Sequence, residues 1–207
     1  MHLAIFGATQ GIGREVVAQA LARGDQVTVL ARSPQKLADL AQPTLTIIQG
    51  DVLNPTDVDK VVPGADAVVV VLGKTDNNPD NVVSKGTSLI IQAMNNHGIS
   101  RLVVVTSLGV ADSKDQVPFF FKMLMKTVLK SAMEDKEVQE EYVRNSGLNW
   151  TIVRPGGLTD GARSGGAYQV STGRDLKAGQ VARADVAEFI LAVLDDDLYM
   201  QEAVGIF

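Results

Sequence analysis

Gly7, Gly11 and Gly13 stand near the start of the chain at the spacing a phosphate-binding turn requires. A diphosphate needs backbone N–H groups at close range, and side chains at these places would block its approach. The spacing assigns Gly7 to the tight turn, Gly11 to the close approach of backbone to ligand, and Gly13 to close helix–strand packing. Thr9, Gln10 and Ile12 complete the turn. An apolar strand over 3–6 runs into it and a helix-patterned stretch over 14–23 leaves it. That context points the unpaired N–H groups of a helix start at whatever lies above. An ordinary glycine-rich strand-to-helix turn is the competing reading.

The next strand, over 26–30, ends in Ala31-Arg32-Ser33-Pro34-Gln35-Lys36. A site for NAD places an acid there to hold the ribose 2′-hydroxyl. This chain has none. Arg32 offers a planar fork suited to phosphate, Ser33 follows it, and Lys36 adds a charge one turn later. The cofactor expected is therefore NADPH rather than NADH. The alternative is a solvated pair of surface cations.

These groups need elements to hold them. Further strands are predicted over 45–49, 67–72, 102–106 and 150–153, and helices over about 79–97, 132–146 and 184–195, with a hairpin-like piece at 168–171. Strands alternating with helices predict an α/β fold, a doubly wound parallel sheet of Rossmann type. No linker rich in Pro, Gly or Ser divides the chain, so residues 1–207 are expected to form a single domain. Ligands of such sheets sit beyond the carboxyl ends of the strands. Those ends carry the glycine turn, Arg32, Asp51 and Val52, Leu72 and Gly73, Ser107, and Pro155-Gly156-Gly157-Leu158.

Composition narrows the chemistry. The chain has no cysteine, so thiolate catalysis, disulfides and cysteine-bound metal are excluded. It has two histidines, His2 at the terminus and His97 in a predicted helix-end turn, too few for a histidine triad or a multi-histidine metal site. A net charge of −5 gives no nucleic-acid footprint. The longest apolar run is far too short to span a bilayer, and Met1-His2 leads straight into a strand, so a cytoplasmic protein is expected.

The strand–turn–helix, the corner Gly50-Asp51-Val52, Ser107 at a strand end, and Ser146-Gly147-Leu148-Asn149-Trp150-Thr151-Ile152-Val153-Arg154-Pro155-Gly156-Gly157-Leu158 resemble the atypical, single-domain branch of the short-chain dehydrogenase/reductase superfamily. Within it, Val27–Arg32, Asp66–Gly73, Val83-Ser84-Lys85-Gly86 and Gly166-Ala167-Tyr168 are similar to the biliverdin-IXβ reductase (flavin reductase) family. The resemblance covers nearly the whole chain. It places Lys136 at the superfamily's lysine, ten residues before Ser146-Gly147, where it would bond the nicotinamide ribose. The superfamily's catalytic tyrosine would stand four residues earlier, at Ala132. Gln10 replaces a glycine usual in the closer family, and Gly157 replaces its histidine after the prolines.

A site with NADPH but no phenol and no imidazole can still move a hydride, provided the acceptor is conjugated and solvent supplies the proton. The resemblance implies a small planar acceptor, a flavin such as FMN or riboflavin or a linear tetrapyrrole, stacked over the nicotinamide of a monomeric protein. Ser107 is the candidate polar group beside that ring, with a structural hydroxyl closing the strand as the alternative. Pro155, Gly156, Gly157 and Leu158 would give backbone groups to the carboxamide. Arg163, Tyr168 and Arg174 are candidates for acidic groups of a substrate. The stretch from Val117 to Lys126 reads either as a wall against a flat ligand or as a buried helix. A non-enzymatic NADP(H)-binding module for redox sensing or assembly is the competing function.

Overall fold

The period-two pattern of the apolar runs decides the architecture. Along β1 (His2–Phe6), Leu3 and Ile5 face one side of the sheet, and Ala4 and Phe6 face the other. In β4 (Ala67–Val70) the pairs are Ala67 and Val69 against Val68 and Val70, and in β5 (Arg101–Val105) Val103 and Val105 against Leu102 and Val104. Strands apolar on both faces must be covered on both. Helices α1 (Gly11–Ala22) and α5 (Arg183–Asp195) cover the first face. The short α2 (Pro55–Asp59), α3 (Val82–His97) and α4 (Lys130–Arg144) cover the second. Each large apolar side chain buried this way contributes roughly 1.5–3 kcal/mol.

The computed structural model describes residues 1–75, 81–118, 122–124, 127–173 and 179–207. Its main sheet has the order β3–β2–β1–β4–β5–β6–β10–β8, with β2 at Gln26–Ala31, β3 at Leu45–Gln49, β6 at Asn149–Pro155, β8 at Val170–Ser171 and β10 at Glu202–Ile206. All neighbours pair in parallel except β8 on β10. Because β1 pairs with both β2 and β4, the strand order reverses there and opens a crevice at the carboxyl rim, as in Rossmann-type single domains. A second, two-stranded ribbon pairs β7 (Gly157–Thr159) with β9 (Gln180–Ala182).

Most elements fall within two residues of their expected bounds. The strand β10 does not appear among the expectations, since Glu202-Ala203-Val204-Gly205-Ile206 is short and carries a glycine and an acid. The piece at 168–171 is no hairpin: Val170 and Ser171 pair with Ile206 and Gly205 across a gap of thirty-odd residues. The helix expected from 79 is described from Val82, and residue 79 lies outside the described residues.

Candidate functional site

A cleft of about 560 Å³ runs along the carboxyl rim between β1 and β4. Its floor is the turn after β1. Gly7 adopts φ +89°, and a Cβ there would stand 2.3 Å from the Val71 carbonyl oxygen. A Cβ on Gly13 would stand 2.1 Å from the Gly7 carbonyl oxygen, so the first turn of α1 lies flat on the loop that precedes it. Gln10 caps α1 without a side-chain hydrogen bond, and no acid stands in the first turn. The positive end of α1 therefore faces the cleft with its N–H groups open.

Thr9, Gln10, Gly11, Ile12, Arg32, Ser33, Lys36, Asp51, Val52, Leu72, Gly73, Ser107, Lys136, Pro155, Gly156 and Leu158 line the cleft together with Gly7, as the sequence groups them. Gly13 and Gly157 do not. Gly13 is buried against Gly7, and Gly157 gives its N–H to the Gly179 carbonyl at 2.9 Å in the β7–β9 ribbon. Gly156 likewise gives its N–H to Ile206 at 2.9 Å, so neither glycine has a backbone donor left for a carboxamide.

At one end of the cleft Arg32 and Lys36 are exposed, with no side-chain partner among the described residues. The turn that carries Lys36 (Pro34–Leu40) is tied to α1 by Arg14, which donates to the Lys36 carbonyl at 2.8 Å and pairs with Asp39. Asp51 accepts the Leu53 N–H at 2.9 Å, and Asp57 accepts the Asp51 N–H at 3.2 Å. That bond, with Lys60 beside it, holds the half-buried Asp57 carboxyl below its ordinary range.

At the other end the wall is β5 and β6, braced from behind. Glu140 of α4 is 1% exposed and accepts from Arg154 twice, at 2.9 and 2.6 Å, and from the Thr106 hydroxyl at 2.8 Å. Arg154 also reaches Asp112 at 2.6 Å. Burial alone would raise the Asp112 carboxyl, but the hydrogen bond and charge of Arg154 hold it below its usual value. One turn before Glu140, the half-buried Lys136 leans on the Val105 carbonyl at 3.4 Å. Burial pushes its ammonium down to about 8, against the opposing pull of Asp135 and Glu140. Asp135 is spent elsewhere: its two oxygens accept the Val83 and Ser84 N–H groups at 2.9 Å and close the start of α3. Ser107 donates its hydroxyl to the Leu108 carbonyl at 3.1 Å and keeps its lone pairs for the cleft.

No tyrosine and neither histidine lines the cleft. Ala132 stands four residues before Lys136, Tyr142 is exposed, and Tyr168 and Tyr199 pack around Phe189 with ring centroids 6.1 and 5.8 Å apart. His2 bonds Gly64 and Thr28, and His97 bonds Asp59. Arg163 faces Glu188 at 3.7 Å in a separate hollow between α1 and α5. Arg174, Phe119–Phe121, Met125 and Lys126 lie outside the described residues.

The sequence reading missed Lys74, Thr75, Val82, Thr106 and Arg183, which also line the cleft. Lys74 directly follows a strand end already singled out, so its position carried a signal. Arg183 carried none, because it reaches the cleft through strand pairing 170 residues from the glycine turn. Among the described residues the lining holds five cations (Arg32, Lys36, Lys74, Lys136, Arg183) and one acid, Asp51, in a chain of net charge −5. An open helix start, a glycine floor and a cationic lining fit a phosphorylated dinucleotide.

The comparisons agree. Residues 7–197 match the family described as NAD(P)H-binding. Among solved structures, ChuY, an anaerobillin reductase from Escherichia coli O157:H7, superposes with a TM-score of 0.86 at 27% identity, over 100% of this chain and 97% of its own. A short-chain dehydrogenase/reductase from Veillonella parvula in complex with NADP gives 0.81 at 20% identity, over 99% and 93%, and shows the same fold. Photosystem II assembly factor Ycf39 of Cyanophora paradoxa is 28% identical over 167 residues, 78% of this chain and 47% of that protein. The chain belongs to the NAD(P)H-binding family, and the cofactor its cleft takes is a nicotinamide dinucleotide, NAD(P)H.

Proposed function

We propose that this NAD(P)H-dependent oxidoreductase transfers hydride from NADPH to flavins such as FMN and riboflavin, and to biliverdin-type linear tetrapyrroles. The reading rests on one observation, a reacting end lined by Val82, Val105, Ser107, Lys136 and Leu158 with no phenol or imidazole. A simple ketone needs a positioned acid, whereas a conjugated acceptor delocalises the incoming charge and takes its proton from water. When bound, the dinucleotide supplies the hydride. The chain's own residues then orient and shield. Arg32, Ser33 and Lys36 hold the 2′-phosphate, Asp51 and Val52 flank the adenine, and the glycine turn holds the diphosphate. Lys136 bonds the ribose, and Ser107 with Pro155 and Leu158 frames the ring. The apolar side chains leave one face of that ring to a flat partner at near-attack distance. The likeness to an anaerobillin reductase supports an extended acceptor. We place the protein in the cytoplasm as a monomer. Among the described residues no helix is long and apolar enough to cross a membrane.

NADPH oxidation followed with FMN, riboflavin and biliverdin in turn tests the proposal. Turnover above the enzyme-free rate with a flavin or a tetrapyrrole is expected, and its absence with all of them overturns it.

A second reading, an NADP(H)-binding module that assists assembly, is favoured by the likeness to Ycf39 and by the exposed Met123 and Val128 beside α4. Tight NADPH binding without turnover, together with NADPH-dependent capture of a partner protein, would select it.

A further inference from the structure

Arg183 and Asp160 are brought together by register. Thr159 of β7 stands opposite Ala182 of β9, so the next residue on each strand is one partner of an ion pair, Arg183 Nη1 to Asp160 Oδ1 at 2.5 Å. The ribbon starts where the nicotinamide wall ends, and Leu158 within it lines the cleft. It ends at the first residue of α5. Helices α1 and α5 run in the same direction: Arg23 at the end of one meets Asp195 near the end of the other at 2.7 Å. Their starts therefore share the carboxyl rim. There the Arg183 side chain crosses the glycine turn, and a Cβ on Gly11 would lie 3.6 Å from its Nε and 3.7 Å from its Cδ. Among the described residues only Nη1 of this guanidinium has a partner. Its remaining N–H groups sit over the place where α1 presents its own uncapped N–H groups.

We propose that Arg183 is a diphosphate clamp and Asp160 its resting counter-charge. In the free protein the carboxylate occupies the guanidinium, and when NADPH enters, its diphosphate takes over the same donors from the opposite side to α1. Asp160 is 89% exposed and Arg183 30% exposed on their side chains. An exposed pair of this kind is weak, so exchanging one anion for another costs little. A diphosphate, held by the fork on one face and a helix start on the other, is the stronger partner.

Calorimetric titration of NADPH and of 2′-AMP tests this without any turnover. The smaller ligand carries the 2′-phosphate but no diphosphate. Arg183→Gln should weaken NADPH by about 10- to 100-fold, the span of one charge-assisted hydrogen bond, and leave 2′-AMP unchanged. Asp160→Asn should tighten NADPH about three- to tenfold, as expected for removal of an exposed competing ion pair. In the double variant that gain should vanish. A gain of the same size in the double variant would mean plain charge repulsion and would overturn the counter-charge role. Equal losses for both ligands in Arg183→Gln, with an unchanged thermal midpoint of the free protein, would overturn the clamp.

Discussion

The two ends of the cleft are held in shape by different physics. The diphosphate end is set by backbone against backbone. Gly7 and Gly13 leave so little room that a single methyl group on either collides with a carbonyl. The nicotinamide end is set by side chains, through a chain that runs from the buried Thr106, Glu140 and Arg154 out to the exposed Asp112 and holds β5 and β6 from behind. A rigid backbone floor suits a ligand group that is the same for every reaction. A braced but apolar wall suits an acceptor that varies, since its lining can change without disturbing the brace.

The comparison can be broken at several points. The largest effect is expected from Gly13→Ala, whose Cβ would have to displace the Gly7 carbonyl. NADPH affinity should fall at least about 100-fold, by loss of the helix-start site, and fluorescence titration of NADPH measures it. Breaking the other end with Arg154→Met leaves the buried Glu140 carboxylate with only the Thr106 hydroxyl and the more distant Arg144, at 3.7 Å. The cost should be about 3–5 kcal/mol of stability in chemical denaturation. The ratio of NADPH to NADH affinity should stay unchanged, because Arg32 lies at the far end. Arg32→Ala should do the converse, lowering the preference for NADPH over NADH by about 10- to 100-fold with no loss of thermal stability.

The smallest effect sharpens the comparison through pH. Lys136 titrates near 8 in the folded protein against 10.5 unfolded. Below about 8 it is charged in both states and the fold bears the full penalty of its burial. Between about 8 and 10.5 the folded state has already released the proton, so the stability of the free protein should rise with pH across that window. NADPH affinity should move the other way, falling about three- to tenfold as pH rises through 8, because the anionic ligand loses a cation. Lys136→Met should flatten both curves, with denaturation and titration series as the readouts.

The diphosphate end was legible in the sequence because its parts are contiguous. Seven residues of turn, a six-residue corner after β2 and the residues just beyond strand ends can be read along the chain. Lys136 was reached only by resemblance, from its spacing to Ser146 and Gly147. The brace was not legible, since Thr106, Glu140 and Arg154 come from three elements and each reads alone as an ordinary polar residue. Arg183 was invisible for the same reason, and so was β10, whose identity as a strand comes from pairing with β6 rather than from its own composition. Gly13 packs on the loop beneath it, in keeping with the close-packing role its spacing assigns, whereas the Gly157 N–H is taken up by the ribbon, a pairing no local pattern announces.

Two long helices, α1 and α3, begin on opposite sides of this crevice, and either could attract phosphate. Only one is available, because the Asp135 carboxylate already occupies the first N–H groups of α3. The rim is therefore polar in a directional sense: it accepts negative charge on one flank and refuses it on the other. A dinucleotide can lie along such a rim in one direction only. The flank on which the phosphates settle is thus selected in part by an acid that need never touch the ligand.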